Sequence, residues 1–277
     1  MRVSIDGAIV AADQALVPVT DRGFLYGDSV FETFRTYGRR AHALGRHLAR
    51  LERSAASVAL RLPVDAETFR AEVRALIDAS EGERKIRLMV TRGDAAGLAD
   101  DGARRVILSY PFQPHPEAHY SQGVVVTLVE GGRDLASAKA GSYLTSVLAT
   151  RTARSRGAYE AILSQEDTIL EGATSNVFFV REGCLYTSRA GVLPGVTRGL
   201  VLELARERGI PCAEGVVPRS LVAEAEEAFL TSATREVMPI SRVDERVFGP
   251  PGPITKALLE AYRGSLGARV DGAERAR

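Results

Sequence analysis

A chain of 277 residues, 45% apolar and 26% charged, has material for one large or two modest soluble domains with a real core. Its net charge of +1, with Lys and Arg scattered along it, argues against a nucleic-acid or membrane-surface footprint. Two cysteines, Cys184 and Cys212, make no disulfide framework and are expected as buried free thiols; four histidines without Cys/His spacing give no metal site; and no stretch approaches the ~20 apolar residues that span a bilayer. The start, Met1 to Gly7, has no long apolar run, so a cytoplasmic protein is the expectation.

Val3 to Ile9 reads as strand, turn and strand about Asp6-Gly7, a hairpin dipeptide. Asp21-Arg22-Gly23 reads as a turn. From Ser29 to Tyr37 a strand is expected, its period of two placing Phe31, Thr33 and Arg35 on one face and Val30, Glu32, Phe34 and Thr36 on the other. An arginine sharing a face with Phe31 is either a pocket wall or a sheet edge with Arg35 in water. His47 to Ala59 is expected as a helix with the apolar stripe Leu48, Leu51, Ala55 and Val58; Arg50 lies off the stripe, the usual place of a solvated arginine. A second helix runs from Ala66 to Ala79 with Phe69, Val73, Leu76 and Ile77 inward. Lys85 to Thr91 is a strand with Ile86, Leu88 and Val90 on one face and Arg87, Met89 and Thr91 on the other. Arg105 to Tyr110 is the next strand.

Pro111 to Ser121, with Pro111, Pro114 and Pro116 and no apolar period, reads as a linker. It divides the chain into an N-terminal α/β domain (residues 1–112), a linker (113–121) and a C-terminal α/β domain (122–277). Gly123 to Glu130 starts the second domain as a strand. A helix over 143–156 is expected to bury Leu144, Val147 and Leu148. Tyr159 to Leu163, Asn176 to Val180 and Cys184 to Thr187 are strands, the last two joined at Glu182-Gly183. Pro194-Gly195-Val196-Thr197 opens a helix that reaches Arg208; its free N–H groups and the Thr197 hydroxyl form a phosphate seat or an ordinary cap. Ala228 to Thr231 is a strand, and Thr231-Ser232-Ala233-Thr234 after it is a second candidate anion loop. A last helix spans 254–266, and the charged tail after Gly267 is expected to fray.

Two residues stand out chemically. Lys139 is flanked by Ala138, Ala140 and Gly141, small neighbours that suit a lysine whose amine a flat, bulky partner must reach. A buried lysine loses proton affinity, and a neutral amine attacks a carbonyl to give a Schiff base. Glu171, in Leu170-Glu171-Gly172, reads by itself equally well as an exposed glutamate at a strand end.

The pieces, in order, are Asp21-Arg22-Gly23-Phe24-Leu25-Tyr26-Gly27-Asp28 with Val30-Phe31-Glu32, His47-Leu48-Ala49-Arg50-Leu51, Thr91-Arg92-Gly93, Lys139, Glu171-Gly172, Leu193-Pro194-Gly195-Val196-Thr197-Arg198 and Phe229-Leu230-Thr231-Ser232. Each is weak alone; in this order, over roughly Ile5 to Val243, they resemble the fold-type IV (class IV) pyridoxal-phosphate enzymes: branched-chain aminotransferases, D-amino acid aminotransferases and aminodeoxychorismate lyases. The resemblance implies an α/β (α+β) fold of two domains with pyridoxal 5'-phosphate in the cleft between them. It implies a Schiff base through Lys139, which then serves as general base, and Glu171 beside the pyridine nitrogen. It assigns the phosphate to Arg50, Val196, Thr197, Ser232 and Ala233, and the ring oxygen to Tyr143. Tyr26, Phe31, Arg35, Arg87 and Thr234 are the implied substrate residues. The implied partners are an amino acid and a 2-oxo acid, with no nucleic acid and no membrane, in a cytoplasmic homodimer.

The chain also departs from its relatives. Tyr143 follows Lys139 by four residues, one fewer than in many branched-chain enzymes. Ala233 stands where many relatives carry a threonine. The Arg-x-His carboxylate trap of D-amino acid enzymes and the Arg-Gly-Tyr run of lyases are both missing after Arg92-Gly93. The expectation is an aminotransferase with a branched-chain-like L-amino acid substrate. A D-amino acid or (R)-amine transaminase, an aminodeoxychorismate lyase releasing pyruvate, and a non-catalytic binding protein on the same scaffold are the alternatives.

Overall fold

In the computed structural model, which describes residues 1–94 and 102–266, Asp6 and Gly7 both take left-handed φ and fold β1 (Arg2–Ile5) back onto β2 (Ala8–Ala11). The tail beyond Gly267 lies outside the described residues. The segment expected as a turn at Asp21 is a short helix, α1 (Arg22–Tyr26), because the Asp21 carboxylate accepts the Gly23 N–H and caps it. β3 (Ser29–Tyr37), β4 (Arg40–Ala41), α2 (Leu44–Ser57), α3 (Ala66–Asp78), β5 (Arg84–Thr91) and β6 (Arg104–Pro111) follow. They build a sheet in the order β2-β1-β6-β5-β3-β4, with antiparallel neighbours. The alternation read in β3 holds: Val30, Glu32, Phe34 and Thr36 are all buried. In α2 and α3 the expected stripe residues Leu48, Leu51, Ala55, Phe69, Val73, Leu76 and Ile77 are buried, whereas Val58, also expected on the α2 stripe, caps the helix end and is half-buried.

The second part begins with α4 (Glu117–Gln122), where the sequence indicated only linker. Pro116 precedes the first turn, a place that needs no N–H, and buried Tyr120 lies under the Arg263 guanidinium, 4.5 Å from its ring centroid. Next come β7 (Val124–Glu130), α5 (Leu144–Ser155), β8 (Glu160–Gln165), β9 (Thr168–Gly172), β10 (Asn176–Arg181) and β11 (Cys184–Ser188). Then follow α6 (Val196–Glu207), β12 (Cys212–Gly215), β13 (Val217–Pro218), α7 (Leu221–Glu224), β14 (Glu227–Ser232), β15 (Glu236–Val243), β16 (Arg246–Val247) and α8 (Pro253–Gly264). The strands form a mixed sheet in the order β12-β11-β10-β14-β15-β7-β8-β9-β13, with β16 on β15. Cys184 and Cys212 are free thiols as expected, but only half-buried on the paired strands β11 and β12.

Among the described residues the chain divides into two units, the first of Met1–Gln113 with Ala138–Tyr143, the second of Pro114–Ser137 with Leu144–Ser265. Lys139 therefore packs with the first unit. Its segment lies beside β3: Phe31 N–H donates to Lys139 O at 2.9 Å, Gly141 N–H to Ser29 O at 2.7 Å, and Ala140 bridges Val30.

In α5 the expected burial is reversed. Ser146, Ala149 and Ala153 face inward, the alanines joining Ala158, Ala161 and Leu163 in one cluster. Leu144, Val147 and Leu148 are 67%, 38% and 52% exposed. Small residues let the helix approach its sheet closely, and larger side chains on that face would hold it off.

In the second sheet Phe178 of β10 pairs with Phe229 of β14, and their rings stack with centroids 4.9 Å apart. Phe229→Ala should cost about 3–5 kcal/mol of unfolding free energy. A double-mutant cycle with Phe178→Ala, read by denaturant titration, should show a coupling of about 0.5–1.5 kcal/mol beyond area burial.

Candidate active site

In the first unit the inward face of β3 carries a charge. Glu32, fully buried, accepts from Arg50 Nε at 2.8 Å and Arg50 Nη2 at 2.7 Å, and its Oε2 lies 2.7 Å from His47 Nδ1. Burial would raise the Glu32 carboxyl, but the charges of Arg50 and His47 and their hydrogen bonds outweigh it and hold the group at about 2. Burial also pushes His47 below its ordinary value, so at neutral pH its ring is uncharged and donates Nδ1–H to Glu32. Arg50 is thus a buried guanidinium with one edge fixed, not the solvated side chain its off-stripe position indicates.

The other face of β3 carries Phe31. The Arg87 guanidinium lies 4.0 Å and the Lys139 Nζ 4.7 Å from its ring centroid, and Tyr143 meets it edge-on at 5.5 Å. Burial lowers the Arg87 pKa. Arg35 stacks against Tyr37 at 4.0 Å and Phe112 at 3.7 Å. Tyr26, at the end of α1, is exposed.

In the second unit Glu171, buried at the end of β9, receives N–H groups from three residues. Arg133 donates to Oε1 through Nε at 2.8 Å and Nη2 at 2.5 Å; Leu193 N–H at 2.9 Å and Asn176 Nδ2 at 3.3 Å reach Oε2. The α6 N-terminus begins at Val196 and buried Thr197, and its Gly195 cap supplies no side-chain hydrogen bond. After β14, the Ser232 and Thr231 hydroxyls are buried and find no hydrogen-bond partner among the described residues, with Ala233 and Thr234 beside them, half-buried.

A sequence model of amino-transferase class IV matches residues 29–243. The chain belongs to the class IV aminotransferases. The D-alanine aminotransferase of Bacillus licheniformis is 31% identical over 276 residues, covering 96% of this chain and 97% of that one. The branched-chain aminotransferase of Thermoproteus uzoniensis, solved with norvaline, superposes with a TM-score of 0.90 at 32% identity, covering 99% and 97% of the two chains. The T.th. branched-chain amino acid aminotransferase, solved with pyridoxamine 5'-phosphate, does so with a TM-score of 0.90 at 27% identity, covering 99% and 96%. This aminotransferase is a transaminase that works with pyridoxal phosphate.

The residues present fit that group. The uncapped start of α6 and the partnerless Ser232 hydroxyl are donors of the kind a phosphate takes. Glu171 is wired to N–H donors, the class to which a protonated pyridine nitrogen belongs. The first unit gathers Lys139, Tyr143, Phe31, Arg87 and Arg50, and the second Glu171, Val196, Thr197, Ser232, Ala233 and Thr234. Arg133, His47 and Glu32 are partners in these networks that are not among the sequence-expected site residues. A glutamate on an otherwise apolar strand face was the signal for Glu32, because a buried charge requires a partner; Arg133, in an irregular stretch, left none.

Glu32 has a folded pKa of about 2 against an ordinary 4.5, so its stabilisation is complete above 4.5 and lost as pH falls toward 2. His47, depressed below 6.5, adds loss in the same direction as acid protonates the unfolded chain first. Urea-melt stability should therefore fall steadily below about pH 6, with Glu32 accounting for about 3 kcal/mol of the acid limb. Glu32→Gln should flatten that limb, and an unchanged limb would contradict the assignment.

Proposed function

We propose that this aminotransferase moves the amino group of a branched-chain-like L-amino acid to a 2-oxo acid, with Lys139 as its catalytic residue. The observation that supports it most is the shared Phe31 ring, which has the Lys139 amine and the Arg87 guanidinium over it and Tyr143 at its edge. A carboxylate-binding cation and a reactive amine beside an aromatic wall match an amino acid with an apolar side chain. Of the two implied arginines Arg87 is the better carboxylate anchor, since Arg35 is clamped between two rings. Tyr26 and Thr234 are the remaining proposed substrate contacts.

Bound pyridoxal phosphate supplies the carbonyl carbon that accepts the amino group and a ring that withdraws electrons from the substrate α-carbon. The Lys139 amine would hold that carbonyl group and, once released by the substrate amine, would carry the α-proton as general base. Glu171, oriented by Arg133, would hold a proton at the pyridine nitrogen, and Tyr143 would hydrogen-bond the ring oxygen. The phosphate donors would be Arg50 in the first unit and, in the second, Thr197, Ser232 and the Val196 and Ala233 N–H groups.

The kinship with D-alanine aminotransferases favours a second reading, a D-amino acid substrate. A spectral titration separates the readings. The purified protein with pyridoxal phosphate should show the visible band of lysine-bound cofactor, and L-leucine should convert it to the pyridoxamine form. Conversion by D-alanine or (R)-1-phenylethylamine alone would reverse the handedness. Pyruvate released only from aminodeoxychorismate would make the protein a lyase. Absence of any band would leave a binding protein on the scaffold. Lys139→Ala should lower turnover by roughly a thousandfold or more, and surviving activity would remove Lys139 from its role.

A cytoplasmic homodimer completes the proposal. It is supported by the exposed Leu144, Val147 and Leu148 face of α5 and by thiols that remain unpaired. No helix among the described residues is long and apolar enough to cross a membrane. Val147→Asp with Leu148→Arg should convert a dimer to monomer in sedimentation; a wild-type monomer would refute the assembly.

A further inference from the structure

Ser54 is a serine with no evident duty on the buried side of α2. A serine inside a helix ordinarily faces water or bonds back to its own helix. This one is 1% exposed, and its Oγ accepts the Lys139 backbone N–H at 3.0 Å from a residue 85 positions along the chain. It lies four residues beyond Arg50 on the same helix, one turn further along the same side. Two backbone bonds fasten the other side of the lysine segment to β3, Phe31 N–H to Lys139 O and Gly141 N–H to Ser29 O. β3 also carries Glu32, which grips Arg50. Lys139 and Arg50 are therefore tied to the same two elements, and the Ser54 hydroxyl closes the loop of connections.

We propose that Ser54 is a positioning residue for Lys139: its hydroxyl, one helical turn past Arg50, fixes the lysine backbone at a set spacing from the phosphate-binding arginine. This rests on the roles proposed above for Lys139 and Arg50. Losing the acceptor leaves a backbone N–H without its partner and frees the segment to move. Binding the cofactor at the amine and at the phosphate together must then first order the lysine.

The test uses the full-length protein without and with cofactor. In the apo protein the Lys139 amide, followed by hydrogen exchange with residue-resolved fragmentation, should exchange as slowly as the Phe31 amide inside β3; exchange at the rate of an open loop would overturn the proposal without any mutation. Apo Ser54→Ala should bind pyridoxal phosphate roughly tenfold more weakly, the effect of one lost buried hydrogen bond. Ser54→Thr, which keeps the oxygen, should stay within about twofold of wild type.

Ser80→Ala is the control for simple loss of stability. Ser80 is another buried serine of the first unit, just past α3, and its hydroxyl donates to Leu76 O in the last turn of that helix. It should lower the melting temperature without changing cofactor affinity. If Ser54→Ala behaves as Ser80→Ala does, Ser54 is structural only and the proposal fails. If wild-type protein binds no cofactor through Lys139, the reading of Lys139 fails first, and the exchange rate of its amide still decides whether Ser54 holds that segment.

Discussion

A carboxylate with no solvent exposure lies between a strand and a helix in the first unit, and the arrangement around it depends on how its charge is met. Burying an ion costs several kcal/mol even after relaxation. Glu32 recovers this only because Arg50 presents two donors in a fork and His47 a third. An apolar trio of similar volume would serve stability as well or better. What the ionic group adds is orientation: the forked pair admits one rotation of the guanidinium, and α2 has to keep its register against β3 for the fork to close. The His47 ring, tilted against Phe34 at 5.2 Å, fixes that register from the apolar side.

Two of the second unit's buried carboxylates, Glu171 and Glu160, have different partners. Glu171 takes N–H donors from Arg133, Asn176 and Leu193 and connects its strand to the loop before α6. Glu160 collects the Thr174 N–H at 2.6 Å, the Thr174 and Ser175 hydroxyls, and the Arg235 guanidinium at 2.9 Å. The turn after Glu171 is thus held from both ends, and Arg235, next to Thr234, brings the loop after β14 onto the same anchor. Gly172 is where this crowding shows. A Cβ there would stand 2.1 Å from Ser175 Oγ, so the residue after Glu171 has no room for a side chain.

Much of this was legible because it obeys a local rule. β3, α2 and α3 follow from periodicity, and the hairpin at Glu182-Gly183 follows from two residues at left-handed φ. The failures have physical causes too. Periodicity cannot register α4, whose six residues bury one side chain, Tyr120. In α5 the apolar pattern points the larger side chains inward, yet close packing on the sheet selects alanine and serine instead. The burial of Arg50 is not legible from its own helix, since its partner Glu32 lies 18 residues away on another element.

The small residues around Lys139 have a second reason for their size. Read alone, Ala138, Ala140 and Gly141 make space for a cofactor. In the fold, Ala138 is buried, and a Cβ on Gly141 would lie 2.1 Å from Ser29 Oγ and 2.7 Å from Gly27 O. Smallness at Gly141 lets the chain lie flat along β3 and make the backbone bonds that fix the lysine. The requirement is on the protein side of Lys139, where its backbone must dock, as much as on the side its amine faces. A lysine on a free loop would be as reactive but would have to be ordered in each binding event, and docking the segment beforehand removes that entropic cost.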